Sequence, residues 1–222
     1  MKFSPKHTLM ALAVAATSFA ASAEGLSYNV GAVTLYKSSG VDQNTSKPTN
    51  FKPAIQGGVD YAFSNGFYIG NWNSTGTFGD ANVEIDLYGG VAFNLTPDLS
   101  FDLSYTHFYY PGQKDWNSGE IALSATTGPF TAKLTNGITG GVNKGQQRAS
   151  VQYKRAVTEL LTMKLVAGMR NSENRDGFND FSAGLSYDLG NDLSVSGTIS
   201  GAGNEAGDAG DTRLVLGVTK GF

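Results

Sequence analysis

The chain has 222 residues, a formal charge of −3 and no cysteine, so disulfides and cysteine-bound zinc are excluded, and the mildly acidic balance gives no reason to hold nucleic acid. Beyond the first two dozen residues no apolar stretch approaches the about 20 residues that a membrane helix needs. A membrane β-barrel escapes that exclusion, because alternating lipid-facing and lumen-facing side chains dilute its hydropathy.

The chain opens with Lys2, Lys6 and His7, followed by a short run rich in apolar and small residues from Leu9 to Phe19. Ala21-Ser22-Ala23 then supplies the small-residue pattern of a signal-peptidase site. Residues 1–23 are expected to be a cleaved export signal, cut after Ala23, and residues 24–222 a single domain.

Three segments carry the clearest strand pattern. Between residues 54 and 63, Ile55, Gly57, Val59, Tyr61 and Phe63 share one face, against Gln56, Gly58, Asp60 and Ala62 on the other. Between 83 and 93, Val83, Ile85, Leu87, Gly89, Val91 and Phe93 oppose Glu84, Asp86, Tyr88, Gly90 and Ala92. Between 99 and 109, Leu99, Phe101, Leu103, Tyr105, His107 and Tyr109 oppose Ser100, Asp102, Ser104, Thr106 and Phe108. A period of two held over about ten residues is a strand long enough to cross a bilayer at a tilt.

Further strands are expected near residues 26–36, 67–74, 119–126, 130–138, 147–155, 161–170, 179–189, 193–201 and 211–222. A helix competes over 156–169, capped by Thr158 with Leu160, Leu161, Lys164 and Leu165 on one face. The alternation of Leu161, Met163, Leu165, Ala167 and Met169 favours the strand. The fold class is therefore all-β: an antiparallel transmembrane β-barrel of about twelve strands, an even number that puts both termini on the periplasmic side.

The connections alternate in length. Short ones fall at 64–66, 94–98, 127–129, 157–159 and 190–192, with Asn-Gly, Gly-Asn and proline chemistry suited to hairpin turns. Longer ones are expected at 37–52, 75–82, 110–117, 139–146, 171–178 and 202–210. Aromatic girdles are expected where strands end, with Phe63, Phe67, Phe93, Phe130 and Phe222 by the short turns and Tyr36, Trp72, Tyr109, Tyr110 and Trp116 by the long loops. The last strand alternates Leu214, Leu216, Val218, Lys220 and Phe222, with Lys220 near enough to water to snorkel. It is expected to pair with the strand near Tyr28, and its terminal Phe222 is what barrel-assembly machinery reads.

Several segments resemble the TorF family of proteobacterial outer-membrane porins. They are Tyr36-Lys37-Ser38-Ser39-Gly40-Val41-Asp42-Gln43, Pro53-Ala54-Ile55-Gln56-Gly57-Gly58-Val59-Asp60-Tyr61 and Gly66-Phe67-Tyr68-Ile69-Gly70-Asn71-Trp72-Asn73-Ser74. Glu84-Ile85-Asp86-Leu87-Tyr88-Gly89-Gly90, Tyr109-Tyr110-Pro111-Gly112 and Glu120 continue the match. The family usually has an arginine where this chain has Ser39. The resemblance implies an outer-membrane barrel acting as a porin and supplies no substrate.

With the polar faces turned inward, the lumen sorts by sign. Asp60, Glu84, Asp86, Asp102 and Glu120 form an expected acidic wall, and Lys133, Arg148, Lys154, Lys164, Arg170 and Arg213 an expected basic wall. Opposed walls of charge orient dipolar solutes, so passive diffusion of small hydrophilic solutes, zwitterions above all, is the expected function. The expected partners are outer-membrane lipids, the assembly machinery and those solutes, with no cofactor or metal.

Two rival functions are weaker. A closed structural or adhesive barrel places its function in the loops, where Lys37, Lys47 and Lys52 make the first one basic. A phospholipase needs a serine beside the single mature histidine, His107, yet Ser104 and Thr106 fall on the opposite strand face. The acids Glu173 and Asp176, or Glu205, Asp208 and Asp211, lack calcium-loop spacing.

Overall fold

The computed structural model describes residues 24–43, 49–140, 143–172 and 175–222. Among these, twelve antiparallel strands close into a barrel: β1 (Gly25–Val33), β4 (Ala54–Ala62), β5 (Phe67–Phe78), β6 (Ala81–Thr96), β7 (Leu99–Tyr109), β8 (Ser118–Thr127), β9 (Phe130–Thr139), β10 (Gln146–Ala156), β11 (Leu161–Ser172), β12 (Arg175–Gly190), β13 (Leu193–Ala202) and β14 (Arg213–Gly221). Each pairs with its neighbours in the sequence, and β14 pairs with β1. A two-stranded hairpin, β2 (Lys37–Ser38) and β3 (Val41–Asp42), lies in the first loop. Residues 1–23, where the export signal is expected, lie outside the described residues.

The seam joins Asn29 to Gly221 and Val33 to Gly217 in register. Phe222 extends it, donating its backbone N–H to the Tyr28 carbonyl at 2.9 Å and stacking its ring on Tyr28 at 5.2 Å. Closure leaves no sheet edge with a row of unpaired backbone groups.

The alternation read from the sequence is the alternation of the walls. Ile55, Val59, Ile69, Leu87, Leu103, Leu134, Leu185, Leu214 and Leu216 are exposed on the outer surface. Gln56, Glu84, Asp86, Asp102, Ser124, Asp180 and Ser200 are buried on the inner one. Lys220, on the outer face, snorkels to the turn and donates to the Asn191 carbonyl. At that turn Asn191 and Asp192 both take positive φ, 52° and 57°, as a type I′ hairpin requires.

Residues 161–172 form a strand, as the alternation favoured over the helix. Two expected loops are instead mostly strand. β5 and β6 run on to a turn at Gly79-Asp80, and β11 and β12 extend to Ser172 and Arg175. Thr77 and Asn82 carry no alternating apolar set, and the extension is held by the buried Phe78 and Ala81 beside its turn. The predicted upper girdle also needs correction. Tyr36, Trp72, Tyr110 and Trp116 point inward and pack with Phe78 and Ala54 at the loop end, while Tyr109 faces outward.

An apolar outer wall predicts opposite responses at adjacent positions of β14. Leu216→Arg, on the outer face, should cost about 2–4 kcal/mol, and Val215→Arg, on the inner face, much less. Equilibrium urea unfolding in phospholipid vesicles measures both.

Candidate functional site

The interior is divided by how its charges are satisfied. On β4 to β7, tyrosines cover three of the carboxylates, two of them by reaching across the strand between. Tyr68 donates to Asp102 at 2.7 Å, Tyr110 donates to Glu84 at 3.0 Å, and Tyr88 donates to Asp60. The rings fit because Gly70 and Gly90 stand beneath them, where an added Cβ would come within 2.4 Å of Tyr88 and 2.5 Å of Tyr68. A neutral donor stabilises a buried carboxylate by about 1.5–3 kcal/mol without adding a second charge.

A cavity of about 340 Å³ is lined mainly by β8 to β14 and β1, and reaches Gln56, Glu84 and Asp86 on the other side. Ser39, Gly40 and Asn143 line it at the loop end, and Lys164, Ser196 and Thr219 toward the end where the termini lie. Of the expected acidic wall, Glu84, Asp86 and Glu120 line this cavity, while Asp60 and Asp102 do not and are tied to tyrosines. Of the expected basic wall, Lys133, Arg148, Lys164 and Arg170 line it. Lys154 lies opposite Lys164 in register and is exposed at the terminal end.

Two basic residues are held elsewhere than the simple wall picture implies. Arg148 is clamped by Asp180, Nε to Oδ2 at 2.8 Å and Nη2 to Oδ1 at 2.6 Å, so its charge is answered locally. Asp180 was absent from the charge sorting, although the inward-facing alternation of β12 places it there. Arg213 stands outside the cavity lining and belongs to a latch at the loop end.

That latch ties the β2–β3 hairpin to the connection between β13 and β14. Lys37 Nζ donates to Asp42 Oδ1 at 2.7 Å and to the carbonyls of Asp211 at 2.9 Å and Ala209 at 3.2 Å. Arg213 Nε donates to the other Asp42 oxygen at 3.1 Å, and its remaining nitrogens reach Asn50, Asp208 and Asp211. Lys37 and Asp42 are almost fully buried. Burial draws the Lys37 ammonium down from the usual lysine range, against the pull of Asp42. Gly40, at φ 77°, lets the hairpin touch the barrel: an added Cβ would lie 2.2 Å from the Gly201 carbonyl oxygen. Next to the latch, Tyr36 packs edge-on against Trp72 at 5.5 Å, and Phe78 meets Tyr110 at 5.2 Å. Together these fill part of the mouth.

The first loop is thus no free basic patch: Lys37 is buried and Lys52 donates to Thr77 at 2.8 Å, while Lys47 lies outside the described residues. His107 shares the outward face of β7 with Leu103 and Tyr105, pairs across to Leu87 and Gly119, and has Ser104 and Thr106 on the opposite face.

A closed antiparallel barrel with an apolar outer wall and a polar, partly filled interior is the porin type of fold. The chain belongs to a family described as bacterial protein of unknown function (Gcw_chp), whose sequence profile matches residues 17–212. No curated protein matches the chain. Among solved structures it is similar to the KdgM porin, with a TM-score of 0.63, 10% identity, and 88% of this chain and 99% of that chain covered. A KdgM porin structure in complex with disordered oligogalacturonate gives a TM-score of 0.60 at 9% identity, covering 89% and 98%. The NanC porin gives 0.55 at 8% identity, covering 89% and 98%. At such identities the likeness is one of fold.

Asp42 is the shared anion of the latch, so Asp42→Asn leaves two cations short of their partner at a cost of about 3–5 kcal/mol. The expected result is local: amide hydrogen exchange in residues 36–43 rises on the order of 100-fold while β1 and β14 keep their protection. Exchange followed by mass spectrometry measures it.

Proposed function

We propose that this protein is an outer-membrane channel for passive diffusion of small hydrophilic solutes. The observation that carries the proposal is the interior cavity, with polar side chains along it from Ser39 and Asn143 at one end to Lys164 and Thr219 toward the other. The likeness to the KdgM and NanC porins supports it through the fold, and the TorF-family resemblance agrees with it. Export through the signal ending at Ala23, and assembly by machinery that reads the strand ending at Phe222, belong to the same reading. So do short turns on the periplasmic side and loops outside.

In the loop half of the cavity, Glu84, Asp86 and Glu120 come from β6 and β8, and Arg170 from β11 on the other side. Opposed charges across a narrow water-filled space favour solutes that carry both signs, which is why zwitterions fit this reading best. A hydrolytic role fits poorly, with His107 on the outer face and Ser104 and Thr106 on the other.

Purified protein reconstituted into a planar lipid bilayer should give discrete conductance steps. Their absence at all salts and voltages overturns the channel reading and favours a closed structural barrel.

A further inference from the structure

β10 and β11 place like charges directly opposite one another twice on their inward face. Arg148 faces Arg170, and six residues along β10, about 20 Å away, Lys154 faces Lys164. Directly opposed like charges weaken a strand pair unless something answers them. At the arginine rung something does: Gly168 leaves room for Asp180 to reach Arg148, an added Cβ there lying 2.4 Å from Arg148 Nη2 and 2.7 Å from Asp180 Oδ2.

At the lysine rung no carboxylate is bonded to either lysine among the described residues. Lys164 is flanked on β12 by Gly184, and the side chain over that glycine is Thr198, whose hydroxyl would lie 2.5 Å from an added Cβ. The side chain two strands along Lys164's own row is thus a neutral hydroxyl, not a carboxylate. Among the described residues no ion pair includes Lys133, Lys154 or Lys164. Lys133 lies within electrostatic reach of Lys164 as well and adds a third positive charge, partly offset by Asp102 and Glu120. The nearby Asp188 turns away, accepting the Gly190 N–H at 2.7 Å. Lys164, Gly184 and Thr198 all line the cavity.

We propose that Lys154 and Lys164, with the Thr198 hydroxyl, form an anion subsite in the half of the lumen nearer the chain termini, taking the carboxylate or phosphate group of a small solute. The proposal rests on the channel reading for its physiological sense, but the site itself is testable without it. Because the carboxylates Glu84, Asp86 and Glu120 stand in the loop half, an anion reaches the subsite more readily from the terminal end.

The test adds inorganic phosphate to one side at a time of a bilayer holding the protein. The expected result is block of the current at lower concentration from the terminal (periplasmic) side. The K154Q/K164Q variant should need roughly tenfold more phosphate, while K154R/K164R and the outward-facing R155Q block like the parent. Unchanged block in K154Q/K164Q, or equal loss in R155Q, overturns the subsite. If the parent does not conduct, the channel reading fails and phosphorus NMR of detergent-solubilised protein still decides the subsite. Saturable broadening of the phosphate line that K154R/K164R keeps and K154Q/K164Q loses supports it, and no broadening with the parent overturns it.

Discussion

The pairing of β14 with β1 is the constraint from which the rest of the molecule follows. An open sheet would leave a row of backbone donors and acceptors without partners along each edge. Closing twelve strands removes both edges, and antiparallel order then brings the first and last strands to the same end. The alternating pattern follows from closure too, because a closed wall has one apolar outer face and one polar inner face, and a one-residue slip would exchange them. Tyr28 and Phe222 sit where the ends meet, the backbone bond and the stacked rings holding the last residue against the first strand.

Inside that wall the protein deals with its charges in two ways. On one side, tyrosines donate to carboxylates, so that Asp60, Asp102 and Glu84 need no cation and the strands pack inward. On the other side, arginine is answered by carboxylate at Arg148 and Asp180, and lysine is left facing the cavity. Filling with tyrosine makes one half of the interior structural. The other half keeps its space and its unanswered charge.

The strands were legible because a period of two, read over ten residues, needs no knowledge of what lies across the barrel. The turns were legible for a similar reason, since Gly190, Asn191 and Asp192 tolerate positive φ wherever they occur. The state of each interior charge was less so. Arg148 and Asp180 are 32 residues apart, and Asp42 and Arg213 are 171 apart, joined only once the barrel has closed. Sorting by strand put Arg213 on the basic wall because it alternates correctly, yet its partner is a loop acid. Tyr36, Trp72, Tyr110 and Trp116 were assigned to a lipid-facing girdle from their nearness to strand ends. Their inward turn follows from a hairpin that folds into the mouth and needs an apolar bed, which no local pattern announces.

The latch and the lysine rung occupy opposite ends of one interior, and their chemistry differs for a physical reason. At the loop end the charges hold a segment that would otherwise swing into water, so they are buried, paired and shared, with Asp42 between two cations. Pairs that bury charge this completely add little net stability over apolar packing, but they fix one arrangement, because any other leaves a cation unsatisfied. The lysines are attached to strands that the barrel already holds, so no anion is needed to position them. A positive charge that the fold does not use for its own construction remains free to meet one that arrives from outside. Arg148 has Asp180 bonded to it, while the row of Lys164 carries only glycine and the Thr198 hydroxyl, and that is the difference between a rung that is finished and a rung that is waiting.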